Sequence, residues 1–166
     1  MAPIEPEILA GLYREHAPAL RLYARQWSSS AEDIVQEAFV KLVQQSPLPE
    51  QVLPWLYSAV RNAGLAMNRA AVRRRQREER AGMPEAWFSE VDDALDAQDA
   101  TRYLAELPLE EREVIIARIW GGLTFAEIAE LVNCSLPTAH RRFQAGLMQL
   151  RERLRWTPTP SRRTTV

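Results

Sequence analysis

Thr138, His140, Arg141 and Gln144 share one side of a helical register late in this sequence, with Arg142 beside them and Ser135 ahead. Hydroxyl, imidazole, guanidinium and carboxamide groups at that spacing can hydrogen-bond to base edges and phosphates in a DNA major groove. A second set lies upstream, where Arg61, Arg69, Arg73, Arg74, Arg75, Arg77 and Arg80 recur through one stretch that also holds Asn62. Arginine neutralises phosphate, so a helix ending this way suits contact with a nucleic-acid backbone. The alternative for both sets is a solvated helix face, the second one salt-bridged through Glu78 and Glu79. Bond-making chemistry has no comparable support. The two histidines and one cysteine offer no nucleophile–base pair or metal cluster, and there is no phosphate-cradling glycine loop. Neither an enzyme nor a cofactor is expected.

The first set needs a helix-turn-helix to present it, and Leu107 to Leu154 supplies one. Pro108 opens a helix carrying Val114, Ile115, Ile119 and Trp120 inward, and Gly121-Gly122 ends it. Thr124 and Glu127 have capping-box spacing, and Ile128, Ala129 and Val132 give the next short helix one apolar face. Asn133 and Cys134 make a break. Ser135 is a good N-cap, and Pro137 is tolerated in the first turn that follows. Ala139, Phe143, Leu147, Leu150 and Leu154 then form the buried stripe of the last helix.

Three helices precede this module. Ile4 to Trp27 repeats Leu9, Leu12, Tyr13, His16, Leu20, Tyr23 and Trp27 at helical spacing, with a kink or break predicted at Pro18. His16 reads as a packing residue. Ser30 is predicted to cap a second helix whose buried face is Ile34, Val35, Ala38, Phe39, Leu42 and Val43, leaving Asp33, Gln36, Glu37 and Lys41 outward. Ser46-Pro-Leu-Pro-Glu50 is a turn. A third helix from about Gln51 packs through Val52, Leu56, Val60, Ala63 and Met67, flanked by Trp55 and Tyr57, before it becomes arginine-rich. Residues 81–98 are acidic, hold Gly82 and Pro84, and read as a linker. Helix resumes over Asp99 to Leu107, and the tail 156–166 is expected to be disordered.

Composition narrows the class. The net charge of −1 conceals a segregated pattern, basic from Arg61 to Arg80, acidic from Glu85 to Glu113, then basic again. Two basic blocks around an acidic spacer fit two nucleic-acid-facing modules. Lys41 is the only lysine and Cys134 the only cysteine, so no disulfide framework is expected. No apolar run is long enough to span a bilayer and no N-terminal signal is evident, so a cytoplasmic protein without membrane insertion is expected. No large regulatory domain is expected after Leu154. The predicted fold is all-α, with two small helical domains at 4–80 and 99–155.

Three stretches resemble a known family. Ala31-Glu-Asp-Ile-Val-Gln-Glu-Ala-Phe-Val-Lys-Leu42, Pro54-Trp-Leu-Tyr-Ser-Ala-Val-Arg-Asn62 with its arginine run, and Leu107 to Leu154 occur in the order found in bacterial RNA polymerase sigma factors of the extracytoplasmic-function (ECF) group. The last stretch includes the Glu111-Arg-Glu113 of its opening helix and Leu123-Thr-Phe-Ala-Glu-Ile-Ala129. The resemblance covers nearly everything from Leu12 to Leu154. It implies a region two that docks on core polymerase and opens the −10 promoter element, and a region four that contacts the −35 element, joined by a flexible linker. Function would then be promoter recognition and transcription initiation, with core polymerase and promoter DNA as partners. Members are commonly held inactive by an anti-sigma factor, which makes such a partner an expectation here.

Carried over by position, Asp33, Gln36, Glu37 and Lys41 look like the polymerase-docking face. Gln45, Ser46 and Leu48 of the reading loop, with Arg61, Asn62, Arg69, Arg73 and Arg74, look like the −10 contacts. Ser135, Thr138, His140, Arg141, Arg142 and Gln144 look like the −35 contacts. Departures from the family pattern are Ala66 in place of an acid, Pro137 in place of glycine, and Ala145 in place of arginine. His140 and Arg141 stand where a basic residue and a small polar one are usual. The rival class is a helix-turn-helix regulator that never engages core polymerase. It accounts for Leu107 to Leu154 equally well, but leaves the Asp33–Glu37 face and the arginine-ended helix unexplained.

Overall fold

Pro6 takes the first position of helix α1 (Pro6–Ala24), where its missing N–H has no helical partner to lose, and Glu7 adds a carboxylate near the positive end of the dipole. The computed structural model describes residues 3–78 and 95–155, with side chains described over 3–74 and 101–154. The remaining helices are α2 (Ala31–Val43), α3 (Val52–Glu78), α4 (Leu95–Glu106), α5 (Leu109–Ile115), α6 (Phe125–Val132) and α7 (Leu136–Arg155). No strand occurs among the described residues, and no helix there is long and apolar enough to cross a membrane. Most of 81–98 and all of 156–166 lie outside the described residues. Helix α4 begins at Leu95, ahead of the expected Asp99.

Helices α1 to α3 form one bundle. Leu20, Tyr23, Trp27, Ile34, Val35, Phe39, Leu42, Leu56, Tyr57 and Val60 fill its core. Helices α4 to α7 form the other, around Leu104, Leu107, Val114, Ile115, Ile116, Leu123 and Ile128. The predicted break at Pro18 is absent. Helix α1 runs through that residue, which lies on the exposed side, where water can take up the carbonyl that loses its amide. Ser30 does not cap α2 through its side chain. Its backbone (φ −90°, ψ 43°) is outside the extended region an N-cap uses, and its N–H donates to Ser28 Oγ at 3.0 Å instead. Val43 and Met67, expected inside, lie at the margins of the first bundle and are exposed.

The helix begun by α5 changes pitch. Ile116–Trp120 is a π-helical turn, closed by the Gly121 N–H donating to the Ile116 carbonyl at 3.0 Å. One extra residue in a turn advances the following side chains by about 100°. Ile116 and Ala117 are therefore buried, whereas Ile119 and Trp120, expected inside, are 50% and 42% exposed. The capping box at α6 forms as predicted. Glu127 N–H donates to Thr124 Oγ1 at 3.1 Å, and Thr124 N–H to Glu127 Oε1 at 3.2 Å. Asn133, in the left-handed region at φ 55°, turns the chain into α7.

Helix α7 is held against its bundle by polar straps. Gln149 Nε2 donates to Glu111 Oε2 at 2.8 Å, Arg142 pairs with Glu110 at 3.7 Å, and Arg153 pairs with Glu106. Ala139 is buried and Phe143, Leu147 and Leu150 half-buried, but the predicted stripe ends early because Leu154 is 55% exposed.

Candidate nucleic-acid interface

The first turn of α7 carries a hydrogen-bonded chain. The Thr138 N–H donates to Ser135 Oγ at 3.3 Å, which caps the helix, and Ser135 Oγ lies 2.8 Å from Thr138 Oγ1. Arg141 Nη2 then donates to Thr138 Oγ1 at 3.0 Å. Ser135 and Thr138 thus spend their oxygens on orienting the helix start and the Arg141 guanidinium, which is left exposed beside Gln144. The His140 ring rests on Phe125 of α6, where Arg118 also lies over the ring, and Arg118 Nη1 donates to the Leu123 carbonyl at 2.8 Å. The predicted −35 residues are brought onto one face with the exception of Arg142, which is drawn toward Glu110. Exposed guanidinium and carboxamide groups at a helix start can address base edges and phosphates.

Helix α3 divides the predicted −10 residues between two sides. Asn62, Arg69 and Arg73 recur at seven and eleven positions and share one face. Asn62 lines a groove of about 380 Å³ with Lys41, Trp55, Ser58, Ala59, Ala63 and Ala66. An aromatic face beside a cation and a carboxamide is suited to an unstacked base. Trp55 was legible only as a flank of the apolar stripe. Its seven-residue spacing from Asn62 was the signal that pairs them. Arg69 and Arg73 are exposed, their Nε groups donating to Leu65 and Arg69 carbonyls one turn back. Arg74 is exposed, as are Gln45 and Ser46 of the loop, and Leu48 is half-buried.

Arg61 points elsewhere. Its Nε donates to Glu113 Oε1 at 2.6 Å, and the Tyr23 hydroxyl donates to the same oxygen at 2.7 Å. Glu113 is 4% exposed. Burial would lower the Arg61 pKa, but the hydrogen bond and charge of Glu113 hold it above its ordinary value. The Tyr23 phenol is pushed well up by burial and by the same carboxylate. The Tyr57 ring packs 5.0 Å from that of Tyr23, and its hydroxyl lies against Gly121, where a Cβ would come within 2.7 Å. Each residue of Glu111-Arg-Glu113 thus reaches a different element. Glu111 accepts from Gln149, Arg112 donates to the Ala105 carbonyl at 3.3 Å, and Glu113 takes Arg61 and Tyr23.

The outward face of α2 carries Asp33, Gln36, Glu37 and Lys41, all exposed. Lys41 pairs with Glu37 at 3.3 Å and also lines the groove below Asn62. Glu32 accepts from Tyr13 at 2.5 Å and from Arg21 at 3.1 Å. The Tyr13 hydrogen bond is the main reason its carboxyl titrates lower than usual.

Comparison with known proteins matches both bundles. Residues 12–81 match the Sigma-70 region 2 family and residues 97–150 match Sigma-70, region 4. The chain is 29% identical over 160 residues to the ECF RNA polymerase sigma factor SigL of Mycobacterium tuberculosis, covering 90% of each. Its fold is similar to that of the sigma factor RpoE from Bartonella quintana, solved with the anti-sigma factor NepR. The TM-score is 0.77 at 24% identity, covering 93% of this chain and 100% of that one. It is also similar in fold to CnrH, solved with the cytosolic domain of CnrY, with a TM-score of 0.62 at 19% identity, covering 93% and 92%.

Proposed function

Starting from the fact that this chain belongs to the ECF sigma factors, we propose how its own residues divide the work of directing RNA polymerase core to promoters. Region two, over 4–80, docks on core through Asp33, Gln36, Glu37 and Lys41. It meets the −10 element through Gln45, Ser46, Leu48, Asn62, Arg69, Arg73 and Arg74, with a flipped base entering the groove of Trp55 and Lys41. Region four, over 99–155, reads the −35 element through Arg141, His140 and Gln144, with Ser135 and Thr138 setting the aim. The segment between them joins the two regions. The work is done by binding, without bond chemistry or cofactor, in the cytoplasm. An anti-sigma factor is a fitting regulator, since the fold relative RpoE was solved with one.

The observation that carries this division is the Ser135–Thr138–Arg141 chain, which leaves one guanidinium pre-aimed and exposed at the start of α7. Reconstituted run-off transcription tests the reading. Core polymerase, a pool of upstream DNA and the intact chain should yield specific transcripts that fade with Asp33→Ala/Glu37→Ala. Association with DNA but never with core would replace this reading with a regulator that works alone. Transcription unchanged in the variant would remove those residues from the docking face.

A further inference from the structure

A cleft of about 620 Å³ runs along α1 from Pro6 to Arg21 and is walled on one side by Phe39 of α2. Its two ends differ. Toward Pro6 the lining is hydrocarbon, from Leu9, Ala10 and the edge-to-face pair of Tyr13 and Phe39, whose ring centroids lie 5.0 Å apart. Toward Arg21 it is polar and already paired. Glu32 accepts from the Tyr13 hydroxyl at 2.5 Å and from Arg21 Nη1 at 3.1 Å. Pro18, inside the helix, leaves the Arg14 carbonyl to water. The Arg14 guanidinium stands between the two ends, exposed and with no ion pair among the described residues.

Size and polarity decide what such a cleft can hold. Fifteen residues of helix rise about 22 Å, so a cleft of about 620 Å³ averages about 28 Å² in section. A helix with its side chains is about 10 Å across and needs about 80 Å². An extended peptide is narrow enough, but its amides and carbonyls would meet the hydrocarbon end with no partner. A polymethylene chain is narrow and brings nothing polar to pair. The free guanidinium calls for an anionic head, and its planar fork matches a carboxylate. From Arg14 back to Pro6 is about 12 Å along the helix, the span of a medium-chain tail.

We propose that this cleft binds a medium-chain carboxylate, its head on Arg14 and its tail laid toward Pro6 between Leu9, Ala10 and Phe39. The bound chain touches both α1 and α2, and so ties α1 to the helix whose outer face carries Asp33, Gln36, Glu37 and Lys41. Such a site goes beyond promoter recognition and stands whether or not the chain directs polymerase.

Calorimetric titration of the full chain with decanoate, kept below its micelle concentration, tests this. Saturable binding of one decanoate per chain is expected, with a sub-millimolar Kd. Decyltrimethylammonium, with the same tail and the opposite charge, should bind about tenfold more weakly or worse, and Arg14→Gln should weaken decanoate about tenfold, the scale of a charge-assisted hydrogen bond. The same variant should leave binding of uncharged decanol unchanged. Ala10→Phe, at an exposed helical position, should fill the apolar end and abolish binding of both. The proposal is overturned if decanoate does not saturate, if the cation binds equally well, if Arg14→Gln leaves decanoate binding intact, or if binding survives Ala10→Phe. Saturation by an acidic amphipathic helical peptide in place of decanoate would overturn it in favour of a partner helix. Dimerisation abolished by Ala10→Phe would overturn it in favour of a second copy of the chain. The two wild-type titrations decide the choice of head group even if a variant folds poorly.

Discussion

His140 and Phe125 stack with ring centroids 4.0 Å apart and planes inclined by 32°, joining helix α7 to the helix before it. Arg118 stands 4.6 Å from the centroid of the same Phe125 ring. An imidazole held this way has its rotamer already chosen, which would lower the ordering cost of a DNA contact made through it.

Replacing Phe125 with Leu should keep apolar volume while removing the aromatic surface. We expect duplex binding by region four to weaken about two- to tenfold, the value of one aromatic pair. Fluorescence anisotropy measures it, with circular dichroism as the check on helix content. An unchanged affinity would mean that His140 needs no support to find its place.

Arg141 and Arg73 should fail in different ways. Arg141→Ala should cost about 1–3 kcal/mol against a cognate −35 duplex and much less against other sequences. Arg73→Ala should weaken all duplexes alike and reduce the salt slope by about 1. Titrations at several salt concentrations separate the two. Equal losses on all sequences from Arg141→Ala would make it a phosphate contact.

Trp55→Ala should affect single strands. Loss of a stacking face in the Lys41–Asn62 groove should cost about 1–3 kcal/mol in binding a −10 single strand, with duplex affinity kept. Permanganate footprinting on a promoter should show the same variant melting DNA poorly. If melting is normal, the groove does not receive the base.

Tyr57 offers a stability prediction with a defined sign. Its hydroxyl is buried without a hydrogen-bond partner, and burial raises its pKa well above the ordinary phenol value. Tyr57→Phe removes an unpaid desolvation and should stabilise the protein by up to about 1 kcal/mol at neutral pH. The fold prefers the neutral phenol, so that contribution is whole below the ordinary value of about 10 and is lost as pH rises through the raised one. Urea midpoints should be level from about pH 7 to 9 and fall beyond about pH 10, less steeply in Tyr57→Phe.

Local rules made much of this molecule legible. The Thr124–Glu127 box, the Ser135 cap and the Ile34, Val35, Ala38, Phe39 and Leu42 face depend on residues a few positions apart, and each forms as its spacing predicts. What escaped depends on backbone geometry or on a partner far along the chain. Ile119 and Trp120 turn outward because the ladder slips by one residue at Ile116, which no periodicity signals. Arg61 looked like its arginine neighbours, and only a carboxylate fifty-two positions away sets it apart. Ser30 had the right chemistry for a cap and the wrong backbone angles.

The two sides of α3 are mechanically one piece. Arg61 and Asn62 are successive residues of a continuous helix, so they project about 100° apart and cannot turn independently. A roll of α3 that carries Asn62 deeper into the groove swings Arg61 through the same angle relative to Glu113. Any change at the Asn62 groove is thus linked to the Arg61–Glu113 contact through the Leu56–Val60 ridge packed in the core.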